Sequence, residues 1–403
     1  MNRVVITGLG TVSPLGMEVK ELFKSLKEGH SGIGPLKFLN SDRLTIKIGG
    51  QINDFEPKKY FSKQEISLYD KFTQFALIAA QQAISFSGIE ISEKNTTDIG
   101  VILGTAGGGL QTQDENYRQV YEEGKNRVHP LIVPKLMNNA AASHVSIKYN
   151  AKGPCFTIAS ACSSSNHAMG QAMNLIRSGA IKIAITGGSE SMLCFGGIKA
   201  WEGLRVMSRE SCRPFCATRD GMVQGEGAAI FIFEDYHHAR NRGAHIFAEV
   251  AGFAMSSDAN DIVSPNKEGA ARAIAGALSD AKLNPEDIGY INAHGTGTSA
   301  NDKTECAAIK HVFKDHAKNL MVSSTKSMHG HLIGGTGALE LLSCIMVLND
   351  KIIPPTINYK EKDPECDLDV VPNFARDQNV HNILSNSFAF GGLNAVLALK
   401  KIN

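Results

Sequence analysis

The chain has 403 residues, and its 41 Lys and Arg nearly cancel its 40 Asp and Glu. That balance argues against nucleic acid or an anionic membrane surface as the main partner. A content of 43% hydrophobic and 20% charged residues is that of an ordinary soluble globular protein, and no apolar run approaches the ~18 residues a membrane span requires.

Strands and helices alternate along the chain. The opening "MNRVVITGLG" has no signal-peptide layout and runs into a buried strand, "VVITGLG", that ends in a glycine turn. An amphipathic helix, "DKFTQFALIAAQQAISFSG", closes at Gly88, and "IGVILGT" is the next strand. The helix "SSSNHAMGQAMNLIRSG" and the strands "IKIAITGG" and "EGAAIFIFED" follow, then the basic helix "YHHARNRG". After "HIFAEVAGFAMSSDA" the order starts again, with helix "EGAARAIAGALSDAKL", strand "IGYINAHGTG", helix "NDKTECAAIKHVF", strand "NLMVSS" and helix "GALELLSCIMVLND". The strand pair "HNILSNSFAF" and "NAVLALKK" ends the chain. This is an α/β pattern in two comparable halves, 1–249 and 250–403, with no low-complexity linker between them. Eight cysteines without a repeating framework suit a reducing compartment, so a soluble cytoplasmic protein is expected.

Chemistry concentrates at strand ends. In "IASACSSSNHAMGQAM", Cys162 precedes three serines and then a helix. A helix start offers unpaired N–H groups and the positive end of the macrodipole, which favour a thiolate. A small buried cysteine is the plainer alternative. In the second half "NAHGTGT" puts His294 in a glycine-rich turn after a strand, where open α/β sheets bind ligands. "SSTKSMHGHLIGGTGALE" places Lys326, His329 and His331 in another such turn. One cysteine and two turn histidines suggest a thiol–imidazole site. Metal is disfavoured: His329 and His331 are two apart, and Cys212 and Cys216 in "CRPFC" lack a second half-site. "GLGTVSPLG" departs from the dinucleotide fingerprint, and "GHLIGGTGA" lacks the ending of a phosphate loop.

Taken in order, ACSSS, NAHGTGT, STKSM-GH and NSF-FGG resemble the elongating β-ketoacyl-(acyl-carrier-protein) synthases, over essentially the whole chain. The resemblance implies a thiolase-like fold, layered αβαβα from two similar halves and usually dimeric. It implies Cys162 as the acylated nucleophile, His294 and His331 as the histidine pair, and Lys326 as the supporting lysine with Glu340 as its ionic partner. Phe390 would be the gating aromatic whose N–H joins that of Cys162 in an oxyanion hole, and Thr296, Thr298 and Phe388 would contact substrate. Gly107 and Ile132 fall at acyl-pocket positions, and Arg205 at a basic docking position for an acyl carrier protein. No cofactor and no metal are implied. The reaction would be acyl transfer to Cys162, then decarboxylative condensation with a malonyl thioester, lengthening the chain by two carbons.

Departures from the family pattern bear on substrate and pathway. His329 stands where threonine is frequent, Ala389 and Leu393 replace glycine and threonine in the gate loop, and Gly107 and Ile132 replace bulkier residues. Gln64, Ser67 and Leu68 occupy helix positions that are often basic. A thiolase is disfavoured because it needs a second catalytic cysteine in a glycine-rich C-terminal turn, and the last one, Cys366, lies in "DPECDLDVV". A starter-unit enzyme would use Cys–His–Asn, and a chain-length partner subunit would have lost the cysteine. The remaining alternative is a specialised polyketide or polyene ketosynthase, as a homodimer or paired with such a subunit.

Overall fold

The structure, a computed structural model, describes residues 1–402. Its first strand, β1 (Val4–Val12), is buried along all nine residues. It packs against helix α1 (Lys71–Ser87), which Asp70 caps by accepting from Phe72 N–H and Gly88 ends at φ 63°. The contact is very close. A Cβ on Gly10 would lie 2.0 Å from the Ala79 carbonyl oxygen, so only glycine lets helix and strand meet there.

Four more strands complete the first half: β2 (Ile99–Gly104), β3 (Cys155–Ile158), β4 (Ile183–Glu190) and β5 (Gly227–Asp235). The second half supplies β6 (Ala248–Ser257), β7 (Tyr290–Asn292), β8 (Met321–Ser323), β9 (Asn382–Ala389) and β10 (Leu393–Lys400). In space the order is β3-β2-β4-β5-β1 followed by β6-β10-β9-β7-β8. Read outward from the junction, the two sets have the same order. The pairing senses match too: β2 is parallel to β3 and β4, as β7 is to β8 and β9, and the remaining pairs in each half are antiparallel. The two sets of strands pair with each other through two residue pairs, Val5–Glu249 and Ile6–Ala248. The chain is therefore an internal duplication.

Two helices, α3 (Ser164–Arg177) and α7 (Thr336–Asp350), lie between the sheets. α7 is buried on every side from Thr336 to Leu348, which explains its lack of a polar face. α1 and α2 (Ala140–Tyr149) cover the outside of the first sheet, and α5 (Lys267–Ala281) and α6 (Ser299–Phe313) that of the second; α4 (Phe195–Gly203) borders the site. The layers run αβαβα, as expected. The sequence reading passed over α2, α4, β3 and the helix Leu110–Tyr121. β3 has four residues and an exposed edge, and α2 buries Ala140, Ala141, Ala142 and Val145 without an apolar stripe, so neither shows the usual period. Among the described residues no helix is long and apolar enough to cross a membrane.

The Gly10 contact makes a direct prediction. Gly10→Ala should cost about 3 kcal/mol or more, or prevent folding, whereas Gly203→Ala, with nothing within 4 Å of the new methyl, should change stability by under about 1 kcal/mol. Urea denaturation midpoints of the two variants check this, and equal midpoints contradict it.

Candidate active site

The duplication sets two similar turns against each other. One, Ala161–Ser163, follows β3 and leads into α3; the other, Ile333–Gly335, leads into α7. Each begins with a non-glycine residue held in the left-handed region, Ala161 at φ 48° and Ile333 at φ 48°. Such strain persists only where the surroundings over-determine it. Here Ser165 Oγ donates to the Gly334 carbonyl, and Glu190, at the end of β4, accepts from Gly334 N–H at 3.1 Å and Ala106 N–H at 2.7 Å. Cys162 sits in the first turn, 6% exposed, where the backbone N–H groups of Cys162 and Phe390 favour charge on its sulfur.

His294 follows β7. Its backbone N–H and that of Gly295 donate to the buried Glu305 of α6 at 2.8 and 2.7 Å, which fixes the turn. His331 is held by its N–H to Val223 O, at 2.7 Å, and its Nδ1 lies 2.8 Å from Thr336 Oγ1. The two rings stand nearly perpendicular, 5.4 Å apart. The Cys162 sulfur and one nitrogen of each ring lie within 4.8 Å of one another. His294 Nδ1 and His331 Nε2 are buried without a hydrogen-bond partner. Lys326 Nζ meets Glu340 Oε1 at 2.5 Å, both side chains wholly buried.

Burial and then the Lys326 charge push both histidines well below the ordinary imidazole range, so the pair is neutral. Glu340 is pushed up to about 7 by burial, against the pull of Lys326. The expected acidified thiol is not what the site contains. Burial outweighs the Lys326 charge and the two N–H donors and pushes Cys162 up to about 11. The resting group is a thiol, beside two neutral imidazoles.

A narrow cavity of about 110 Å³ opens on Cys162, His294 and His331. Thr296, Thr298, Phe388 and Phe390 line it, with the two threonine hydroxyls 2.8 Å apart and Phe388 edge-on to His294. Gly107 and Ile132 lie outside this lining. The space beside Gly107 is filled by Met192, whose Sδ and Cε would lie 3.0 Å from an added Cβ. Ile132 opens the short helix Ile132–Leu136, between the exposed Leu131 and Val133. Arg205 lies in a separate groove with Lys199 and Arg209. His329 is buried with both nitrogens occupied, Nδ1 on Gly330 O at 2.7 Å and Nε2 on Thr325 Oγ1 at 2.9 Å, so it faces away from the chemistry.

Cys162, His294 and His331 are also the one His/Cys/Asp/Glu cluster among the described residues compact enough to hold a metal ion. The nearby Lys326 charge, which depresses both imidazoles, opposes a second cation there. Glu190, Glu305, Thr336 and Trp201 were missed in the sequence. Only Glu305 left a trace: Asp302, Glu305 and Ile309 recur at helical spacing, which puts two acids on an apolar face.

A depressed pKa leaves an imidazole neutral at every pH above it. At pH 5.5, where an exposed histidine is mostly protonated, the ring ¹⁵N resonances of His294, His329 and His331 should keep neutral-form shifts. A midpoint near 6.5 at any of the three would contradict the geometry.

The description "Beta-ketoacyl synthase, N-terminal domain" matches residues 1–239, and "Beta-ketoacyl synthase, C-terminal domain" matches 247–360. Nodulation protein E of Rhizobium leguminosarum bv. trifolii is 45% identical over 400 residues, 99% of each chain. The 3-oxoacyl-[acyl-carrier-protein] synthase 2 of Synechocystis is 41% identical over 407 residues, covering 99% of this chain and 98% of its own. Among solved structures, the ishigamide ketosynthase/chain length factor superposes with a TM-score of 0.96 at 33% identity, over 100% of both chains. With a cysteine and two neutral imidazoles converging at the junction of two duplicated halves, the chain belongs to the β-ketoacyl synthase family.

Proposed function

We propose that the chain extends acyl groups carried on an acyl carrier protein, as in fatty acid synthesis. The observation that carries this reading is the convergence of the Cys162 sulfur with two ring nitrogens within 4.8 Å. The thiol adds to the thioester carbonyl while its proton passes to a neutral imidazole; the carrier thiolate leaves and takes that proton. The N–H groups of Cys162 and Phe390 hold the oxyanion. A malonyl thioester then loses CO₂, and the electrons of the broken C–C bond form an enolate. Its oxygen accepts hydrogen bonds from the histidine pair; for His331 this step requires the tautomer with the proton on Nε2, in which the Thr336 hydroxyl, 2.8 Å away, donates to Nδ1. The enolate carbon attacks the acyl carbonyl, the Cys162–acyl bond breaks with its electrons on sulfur, the thiolate takes a proton from water to restore the resting thiol, and a β-ketoacyl thioester two carbons longer departs. These steps are balanced without a cofactor.

The acidic carrier would approach past the basic groove of Arg205, Lys199 and Arg209. A second reading, a specialised polyketide or polyene ketosynthase with a related partner subunit, is supported by the likeness to the ishigamide pair. Exposed apolar residues of the first half, among them Tyr121, Leu131, Val133, Met137, Ile147 and Phe156, would be covered in either a homodimer or such a heterodimer. Eight free cysteines fit a reducing cytoplasm.

Incubation with acyl- and malonyl-carrier proteins, followed by intact-protein mass spectrometry, tests the reaction. Cys162→Ala should abolish the acyl adduct and condensation. His294→Ala and His331→Ala should each slow malonyl decarboxylation roughly a hundredfold, about 3 kcal/mol, while His329→Thr should be mild. An adduct on Cys155 or Cys194 instead, or equal losses at His329 and His331, would overturn the roles.

Chain length tests the pocket. Gly107→Phe must displace Met192, and should shorten the longest primer accepted while short primers still acylate Cys162. An unchanged product distribution would remove Gly107 from the acyl pocket.

A further inference from the structure

Trp201 is the only tryptophan in the chain. It stands on α4, in the first half, and lines the cavity together with Cys162 and Phe390. Its ring stacks on that of Phe390, with centroids 5.9 Å apart and planes at 23°. Phe390 comes from the other half, in the turn between β9 and β10. Gly391 and Gly392 follow it at φ 82° and 66°, backbone that favours glycine. Ala389, just before, and Trp201 both pack against the apolar cluster that includes Cys162. The N–H of Phe390 is one of two backbone groups that favour charge on the Cys162 sulfur.

A cavity of about 110 Å³ is too small for a long acyl chain, since pockets for extended ligands run to several hundred Å³. One wall must move, and the wall with a glycine-rich backbone is Phe390. We propose that Trp201 is the catch of this gate: a positioning residue that, by stacking on Phe390, holds the cavity closed and keeps the Phe390 N–H on Cys162. The stack parts when an acyl chain enters and re-forms when the oxyanion donor is needed. This inference rests on the acyl-transfer reading above.

Because the chain has a single tryptophan, its fluorescence reports on the stack directly. Wild-type emission should shift when an acyl-carrier thioester acylates Cys162, and Phe390→Leu should shift the emission of the resting enzyme. Trp201→Ala should lower kcat/KM for acylation between about twofold and about tenfold, the range set by one aromatic pair. It should also speed alkylation of Cys162 by iodoacetamide, and Trp201→Phe should restore both rates. Identical resting emission in wild type and Phe390→Leu, or a Trp201→Phe enzyme as slow as Trp201→Ala, would overturn the proposal. Absence of an acyl adduct on wild-type Cys162 would instead overturn the acyl-transfer reading, and resting emission would still decide whether the stack exists.

Discussion

A lysine ammonium with no access to water lies at the centre of this protein. Lys326 is wholly buried against Glu340, itself on a helix without an exposed face. Such a pair is costly to desolvate, and removing one partner from it typically costs 3–5 kcal/mol because the other charge is stranded. Its value lies in what surrounds it. After burial, the Lys326 charge is the next influence holding His294, His329 and His331 neutral, and it is the largest influence favouring the Cys162 thiolate. One charge thus lowers the pKa of the thiol and of the imidazoles alike, favouring charge on the sulfur and opposing it on the rings.

The duplication explains how that charge reaches the thiol. Each half delivers a strand, a strained turn and a buried helix to the same junction, and the turns lock together through Ser165, Gly334 and Glu190. Glu190 also accepts from Thr105 Oγ1 and the Ala106 N–H, tying the loop after β2 to the turn before α7. A carboxylate spread over several N–H donors is an economical way to fix two loops at once, since each buried donor must find a partner. The halves have diverged within this shared frame: the first carries Cys162, the second His294, His331 and Lys326.

A buried thiol pushed up to about 11 changes how the nucleophile is understood. The helix start and its N–H groups do not produce a standing thiolate in the closed cavity. Under the proposed reaction they would stabilise charge as it develops on sulfur and oxygen, which is where preorganised donors contribute most.

Much of this was legible in the sequence. The alternation of strands and helices, the second start near residue 250, Cys162 ahead of a helix, and His294, Lys326 and His331 in turns all follow from local chemistry: apolar period, glycine punctuation and residue type. What only the tertiary structure decided depends on residues far apart in the chain. Phe390 finds Trp201, Glu190 reaches Gly334, and Met192 takes the space Gly107 leaves open. The resting state of Cys162 belongs to the same class, because it is set by how completely two halves exclude water from a thiol. Desolvation is a property of packing, and no pattern along the chain encodes it.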